Sequence, residues 1–394
     1  MVPKGWMLLQ VSDICKLQNG NSFKPHEWDT KGLPIIRIQN LNGSGNYNYF
    51  SGVPQDKWLV EPGQLLFSWA GTKGVSFGPF IWNGPKGVLN QHIYKVFANE
   101  NVHEHWLYLA LFHITQKIEA QAHGFKSTLL HVQKKDIDNQ FVLTPPVAEQ
   151  KKISQILSTW NKAISVTEKL LANSQQQKKA LIQQLLTGKK RLLDENGVRF
   201  SGEWCTCTLS EVAHIIMGSS PKSEAYNDNG LGLPLIQGNA DIKCRVSCPR
   251  VYTSDITKEC TPGDILLSVR APVGTVALSQ HKACIGRGIS AIKSKRKMSQ
   301  SFLYQWFLWF EPKWCYLSQG STFESINSDD IKTLKLSVPN FEEQQKIAAV
   351  LSAADTEIST LEKKLACLKN EKKALMQQLL TGKRRVKVDE AVAV

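Results

Sequence analysis

Lys178-Lys179-Ala180-Leu181-Ile182-Gln183-Gln184-Leu185-Leu186-Thr187-Gly188-Lys189 returns almost unchanged as Lys372-Lys373-Ala374-Leu375-Met376-Gln377-Gln378-Leu379-Leu380-Thr381-Gly382-Lys383. Eleven of the twelve positions are identical, at an offset of 194 residues. At the same offset upstream, Pro145, Glu149, Gln150, Lys152 and Ile153 match Pro339, Glu343, Gln344, Lys346 and Ile347. A chain written twice consists of two like units, which constrains its architecture before any local pattern is weighed. Fainter matches precede these segments. Leu33-Pro34-Ile35-Ile36 parallels Leu233-Pro234-Leu235-Ile236, and Pro62-Gly63-Gln64-Leu65-Leu66-Phe67-Ser68 parallels Pro262-Gly263-Asp264-Ile265-Leu266-Leu267-Ser268. Leu107-Tyr108 parallels Leu303-Tyr304, and Gly124 parallels Gly320. The offset drifts between 194 and 200, as loops of unequal length require.

The repeated stretch closes a long helix. Positions 347, 351, 354, 358, 361, 365, 368, 372, 375 and 379 read Ile, Leu, Ala, Ile, Leu, Leu, Leu, Lys, Leu, Leu. The matching positions 153, 157, 160, 164, 167, 171, 174, 178, 181 and 185 read Ile, Leu, Trp, Ile, Thr, Leu, Ser, Lys, Leu, Leu. Apolar residues at nine and seven of ten positions, stepping by four and three, form a coiled-coil seam. Prolines precede both helices, and Asn340 three residues before Glu343 predicts a capping pair. Gly188 and Gly382, with basic residues around them, predict left-handed C-caps. Glu149 to Leu186 would span about 57 Å at ~1.5 Å per residue.

Connectivity then predicts the arrangement. The first helix carries the chain from one domain to the next; the second, if its seam packs on the first, runs back. The expected fold is α+β: two mixed α/β domains separated by two long helices in an antiparallel coiled coil, with pseudo-twofold symmetry. The divisions are a first domain over 1–146, a helix over 147–191, a second domain over 192–340, a helix over 341–386 and a tail over 387–394. Within the domains, Pro-Gly turns open apolar runs at Gln64–Phe67 and Asp264–Val269 that read as strands. Helices are expected near His103–Ile118 and Gln300–Phe310.

At 394 residues the chain has room for two or three domains, at roughly 150 residues each. Lys and Arg total 48 against 34 Asp and Glu, a net charge of +14 that points towards a polyanionic partner. The nine cysteines are odd in number and irregularly spaced, which argues for reduced thiols rather than a disulfide framework. Cys205 and Cys207 with Cys244 and Cys248 have imperfect spacings for a zinc site and no counterpart in the first half; no metal is expected. The N-terminus has no signal-peptide pattern, and the most apolar stretch, Phe302 to Phe310, is shorter than the ~20 residues that span a bilayer. A soluble, cytoplasmic protein is expected.

Where the frames match, the exposed-type residues differ. Arg37 lies opposite Gln237, Gln39 (with Asn40 beside it) opposite Asn239, and Gln91 opposite Arg287. Trp69-Ala70-Gly71-Thr72-Lys73 lies opposite Val269-Arg270-Ala271-Pro272-Val273. After the shared glycine, Phe125-Lys126-Ser127-Thr128 lies opposite Ser321-Thr322-Phe323-Glu324. Arg suits guanine, and Asn or Gln suits adenine, as bidentate partners in the major groove. The candidate DNA-contacting residues are therefore Arg37, Gln39, Asn40, Trp69, Thr72, Lys73, Gln91, Lys126 and Ser127 in the first half. In the second they are Gln237, Asn239, Arg270, Arg287, Ser321 and Thr322. Ordinary loop divergence with solvated side chains is the alternative at each. No catalytic residues are found: there is no Walker A loop and no GxGxxG after a strand. The Thr144-Pro145-Pro146-Val147 run lacks the residues of an aminomethyltransferase motif. Paired carboxylates of nuclease type are not visible, and His92 faces Gly288 in the other half.

The order domain, long helix, domain, long helix resembles the specificity subunit of type I restriction–modification systems. So do Pro-Gly-Asp-Ile-Leu-Leu-Ser at 262, the Pro339 to Ile347 run, and the Lys-Lys-Ala-Leu to Thr-Gly-Lys motif at each helix end. The resemblance covers essentially the whole chain; Gln64 in place of an acidic residue is a small departure. It implies a non-catalytic subunit with two target-recognition domains that bind a bipartite double-stranded DNA target. It also implies methyltransferase subunits, two per chain by the doubled helix end, which bring S-adenosylmethionine and modify adenines; the chain itself is expected to hold no cofactor. A restriction motor–nuclease subunit can join. Readings left open are a specificity subunit of another restriction type, a coiled-coil scaffold that binds proteins only, and a nuclease.

Overall fold

The structure, a computed structural model, describes residues 2–121, 129–317 and 325–388. The fold is α+β. It divides into two compact units: Met1–Thr167 with Lys364–Val394, and Glu168–Lys363. The first long helix, Val147–Leu185, contributes its first half to unit 1 and its second half to unit 2. The second, Phe341–Leu380, does the reverse.

In unit 1, one four-stranded antiparallel sheet orders Cys15–Asn19, Ile93–Ala98, Leu65–Ser68 and Gly78–Ile81. A second orders Asn48–Phe50, Leu33–Ile36, Gly87–Leu89 and Leu59–Val60. Its central pair is parallel, with Ile35 opposite Val88 and Ile36 opposite Leu89. Unit 2 repeats both sheets with added edge strands: six strands around Ala213–Met217, Ile289–Ser294, Ile265–Ser268 and Val276–Leu278, and five around the parallel pair Leu233–Ile236 and Ala283–Ile285. The runs after the Pro-Gly turns are fully buried strands, Leu65–Ser68 and Ile265–Ser268, which is why they read as continuous apolar stretches rather than alternating ones.

A helix packs on the four-stranded antiparallel sheet of unit 1 and on the six-stranded sheet of unit 2: Glu104–Gln121 and Gln300–Leu317. The second runs seven residues past the expected Phe310, straight through Pro312. Trp306 stacks on Phe310 at 5.0 Å, and Phe310 meets Trp314 edge-on at 5.1 Å. This aromatic row at four-residue spacing offsets the backbone hydrogen bond that proline forfeits. The core of unit 1 joins that sheet and helix to Ile153 and Leu157 of one long helix and Met376, Leu379 and Leu380 of the other. The core of unit 2 does so with Leu185 and Leu186, and Ile347 and Leu351.

All ten seam positions of each long helix are buried or half-buried, including Thr167 and Ser174, which stand where the other copy has leucine. The caps follow the sequence. Asn340 Oδ1 accepts from Glu343 N at 2.9 Å, and Gly188 and Gly382 sit at φ +70° and +66°. Lys190 N and Arg384 N then donate six residues back, to Gln184 O at 3.0 Å and Gln378 O at 3.2 Å.

The matched Glu-Gln pair builds the same joint in each unit. Gln150 Oε1 accepts from His103 N at 2.8 Å, and its amide donates to Pro145 O and Asn101 O. Gln344 Oε1 accepts from Ser299 N at 2.8 Å, and its amide donates to Pro339 O and Lys297 O. Glu149 accepts a two-pronged bond from Arg385, 3.0 Å from Nε and 2.5 Å from Nη2. Glu343 accepts the same from Arg191, at 2.7 and 2.6 Å. A tryptophan lies beside each guanidinium: Trp6 at 5.6 Å and Trp204 at 5.9 Å. Each unit thus locks the end of one long helix to the start of the other through a buried carboxylate.

Candidate nucleic-acid interface

Three strands of unit 1 end at one place. Leu33–Ile36 and Gly87–Leu89 are parallel neighbours, so Arg37 and Asn90-Gln91-His92 leave the same edge of the sheet, tied by Asn90 N donating to Ile36 O at 3.0 Å. Leu65–Ser68 from the other sheet delivers Trp69 there, where Trp69 N donates to His92 O at 3.3 Å. Leu129–His131 pairs with Ala70–Thr72 and completes the edge. Unit 2 has the same convergence: Gly286 N donates to Ile236 O, Gly288 N to Gln237 O and Val269 N to Gly288 O.

The structure therefore brings together Arg37, Gln91, Trp69 and Thr72, and likewise Gln237, Arg270 and Arg287. Arg37 is half-buried; its Nη1 donates to Asn48 Oδ1 at 2.8 Å and its guanidinium lies 5.1 Å from the Trp28 ring. Gln39 is exposed and donates to Asn46 O at 3.1 Å. A hollow of about 310 Å³ with a mixed polar and apolar lining gathers Arg37, Gln39, Gln91 and His92 with Phe23 and Trp28. An apolar hollow of about 400 Å³ adjoins it through the shared Ile38 and His92, and is lined by Thr72, Leu130 and His131 among others. Lys73 follows Thr72 and is half-buried. In unit 2, Gln237, Arg270 and Arg287 are exposed, Asn239 is half-buried, and Arg287 Nε donates to Ser220 Oγ at 3.0 Å.

Asn40 is a correction. It is only 5% exposed; its Oδ1 accepts from Arg37 N at 2.9 Å and its amide donates to Ser44 O and Asn46 O. Its hydrogen-bonding capacity is spent on the turn that presents Arg37. Asp241 does the same for Gln237, accepting from its N at 2.9 Å, and also accepts from Arg250. Lys126, Ser127, Ser321 and Thr322 lie outside the described residues. Sequence reading missed His131 and Trp28. Neither has a repeat partner of like type to draw attention to it, and only the pairing of Leu129–His131 with Ala70–Thr72 places His131 beside Trp69.

Burial, with a further push from His131, holds His92 below the ordinary histidine value. Among the described residues no group of three or more His, Cys, Asp or Glu is set to hold a metal, so Cys205, Cys207, Cys244 and Cys248 are not assembled. Nor, among them, is any helix long and apolar enough to cross a membrane.

The family described as the type I restriction modification DNA specificity domain matches the chain twice, over residues 3–173 and 201–370. A type I restriction enzyme MjaX specificity subunit, so described, from Methanocaldococcus jannaschii is 32% identical over 98% of this chain and 95% of its own length. The EcoBI specificity subunit from Escherichia coli is 24% identical over 87% of this chain and 77% of its own. Among solved structures, the HsdS subunit from Thermoanaerobacter tengcongensis superposes with a TM-score of 0.52 at 22% identity, over 97% of this chain and 98% of that one. A chain from a study of type I restriction–modification assembly gives 0.63 at 23% identity, over 98% and 100%; at these identities the likeness is one of fold. The chain belongs to the type I restriction–modification DNA specificity family and carries that family's domain twice.

Proposed function

We propose that the chain is a non-catalytic reader of a bipartite DNA target, with one half-site read by each unit. The observation that carries this is the doubled convergence of strand ends: one frame, presenting Arg37, Gln39, Trp69, Thr72, Lys73 and Gln91 in unit 1 and Gln237, Asn239, Arg270 and Arg287 in unit 2. One scaffold with exchanged major-groove donors and acceptors is what two different short sequences call for. The divisions at 1–146, 147–191, 192–340 and 341–386 then separate readers from spacers. The two long helices form an antiparallel coiled coil related by a pseudo-twofold axis, and its evenly buried seam supports that reading.

The family's partners are methyltransferase subunits and, in full systems, a restriction subunit. Gln183, Gln184, Gln377 and Gln378 are exposed at the two near-identical helix ends, which supports one methyltransferase docking at each and a stoichiometry of two per chain. Catalysis then resides in those partners. The experiment is a binding selection from randomised duplexes by the chain with its methyltransferase subunits. Two short blocks separated by an unread gap are expected, while the chain alone turns over neither DNA with S-adenosylmethionine nor DNA with ATP and magnesium. A single uninterrupted block, or turnover by the chain alone, would overturn the reading.

A further inference from the structure

We propose that His92 and His131, set on either side of Trp69, are specificity-determining residues for the half-site read by unit 1, contacting base edges there. The inference rests on the reading that unit 1 contacts a half-site, and adds residues that no match between the repeats could suggest.

The geometry is that of a fixed cluster. The Trp69 ring lies 5.1 Å from His92 and 4.8 Å, edge-on, from His131. Trp69 is itself held by Nε1 donating to Gln91 O at 3.0 Å and by stacking on Tyr94 at 6.1 Å. An aromatic wedge locked in this way fixes the two imidazoles beside it, and preorganised groups lose little entropy on binding. His92 lines both hollows, so it stands between Arg37, Gln39 and Gln91 on one side and Thr72 and His131 on the other. His131 is exposed. His92 Nδ1 is buried with no hydrogen-bond partner among the described residues, and Nε2 lies 3.4 Å from Gln91 Nε2.

Among the described residues unit 2 has nothing equivalent. The bond from Val269 N to Gly288 O matches that from Trp69 N to His92 O, and Ile326 N to Val269 O matches Val132 N to Trp69 O. The register therefore places Gly288, Val269 and Ser325 where unit 1 has His92, Trp69 and His131. A neutral imidazole offers one donor and one acceptor. It can donate to guanine O6 or N7, or accept from the amino group of adenine or cytosine, in the major groove.

The test uses the chain with its methyltransferase subunits and duplexes randomised in the first half-site, the second held fixed. His131→Ala should reduce discrimination at one base position by about tenfold and leave preferences in the second half-site unchanged. His131→Asn, which keeps a donor and an acceptor, should retain part of it, and His92→Asn should alter the same or the neighbouring position. Because His131 is exposed, the variant should unfold at the same temperature as the parent. Equal weakening towards every sequence would mark a backbone contact and overturn the proposal. If Arg37→Ala or Gln91→Ala relaxes the first half-site while neither histidine variant does, this inference fails and the reading of unit 1 stands. If none of the four does, both fall.

Discussion

Arg191 and Arg385 make the same two-pronged bond in the two units, but they carry different weights. Glu343 is fully buried and Arg191 is its partner, whereas Glu149 is 7% exposed and also accepts from Trp6 Nε1 at 3.2 Å. Removing one partner of a buried pair costs roughly 3–5 kcal/mol, since the other charge is left without compensation. Arg191→Ala should therefore lower the stability of unit 2 by about 3 kcal/mol, and Arg385→Ala should cost unit 1 less, as read by denaturant unfolding; the reverse order would contradict this account. The histidines of unit 1 set a pH response. Burial, with His131 for His92, His103 for His105 and Lys117 for His113, holds all three below the ordinary histidine value. The unfolded chain then binds more protons than the folded one, so their contribution is complete above about pH 6.5 and is lost as pH falls below it. The unfolding midpoint of unit 1, followed by tryptophan fluorescence, should drop between pH 7.5 and 5.5; a midpoint that holds or rises would show that these sites are not the ones that titrate.

At the scale of elements, the seams differ in one polar layer. In unit 2, Lys178 pairs with Asp355, which also accepts from the buried Gln305 at 2.9 Å, and Ser174 donates to Glu357 at 3.0 Å. The repeat register puts Lys372, Asn161 and Leu109 at the corresponding places in unit 1, and burial holds Lys372 below its ordinary value. Among the described residues Lys372 has no carboxylate partner. Asn161→Asp should supply one, and the gain should be about 0.5–1 kcal/mol, the range of a half-exposed ion pair; no gain in the unfolding midpoint would mean that the register does not carry over. The helices were legible because heptad spacing, an Asn cap and Thr-Gly stops are local signals. The strand ends were legible in part. Arg37, Gln91 and Gln237 could be chosen by repeat comparison, but it could not show that the parallel pairing Ile35–Val88 brings Arg37 to His92. Asn40 was misread because a turn-capping amide and a base-reading amide are the same residue in a sequence; only burial separates them.

At the scale of the whole molecule, the proposed function makes the doubled frame two readers and the doubled helix a spacer. If the helix pair sets the unread gap, seven residues added to each helix near Asn173 and Cys367 keep the heptad in register and lengthen the pair by about 10 Å. The preferred gap should grow by about three base pairs at ~3.4 Å per step, with the half-sites unchanged. A native mass of the saturated complex should correspond to two methyltransferase subunits per chain; saturation at one would remove the docking role from one helix end. The most direct measurement of the central claim is a map of modified adenines in cells that carry the chain with its methyltransferase subunits, compared with cells that carry Gln237→Ala and Arg287→Ala. The base preference should relax in one half-site, by a factor corresponding to roughly 1–3 kcal/mol per lost contact, while the other half-site and the gap stay as they were. Relaxation spread equally over both half-sites would contradict it.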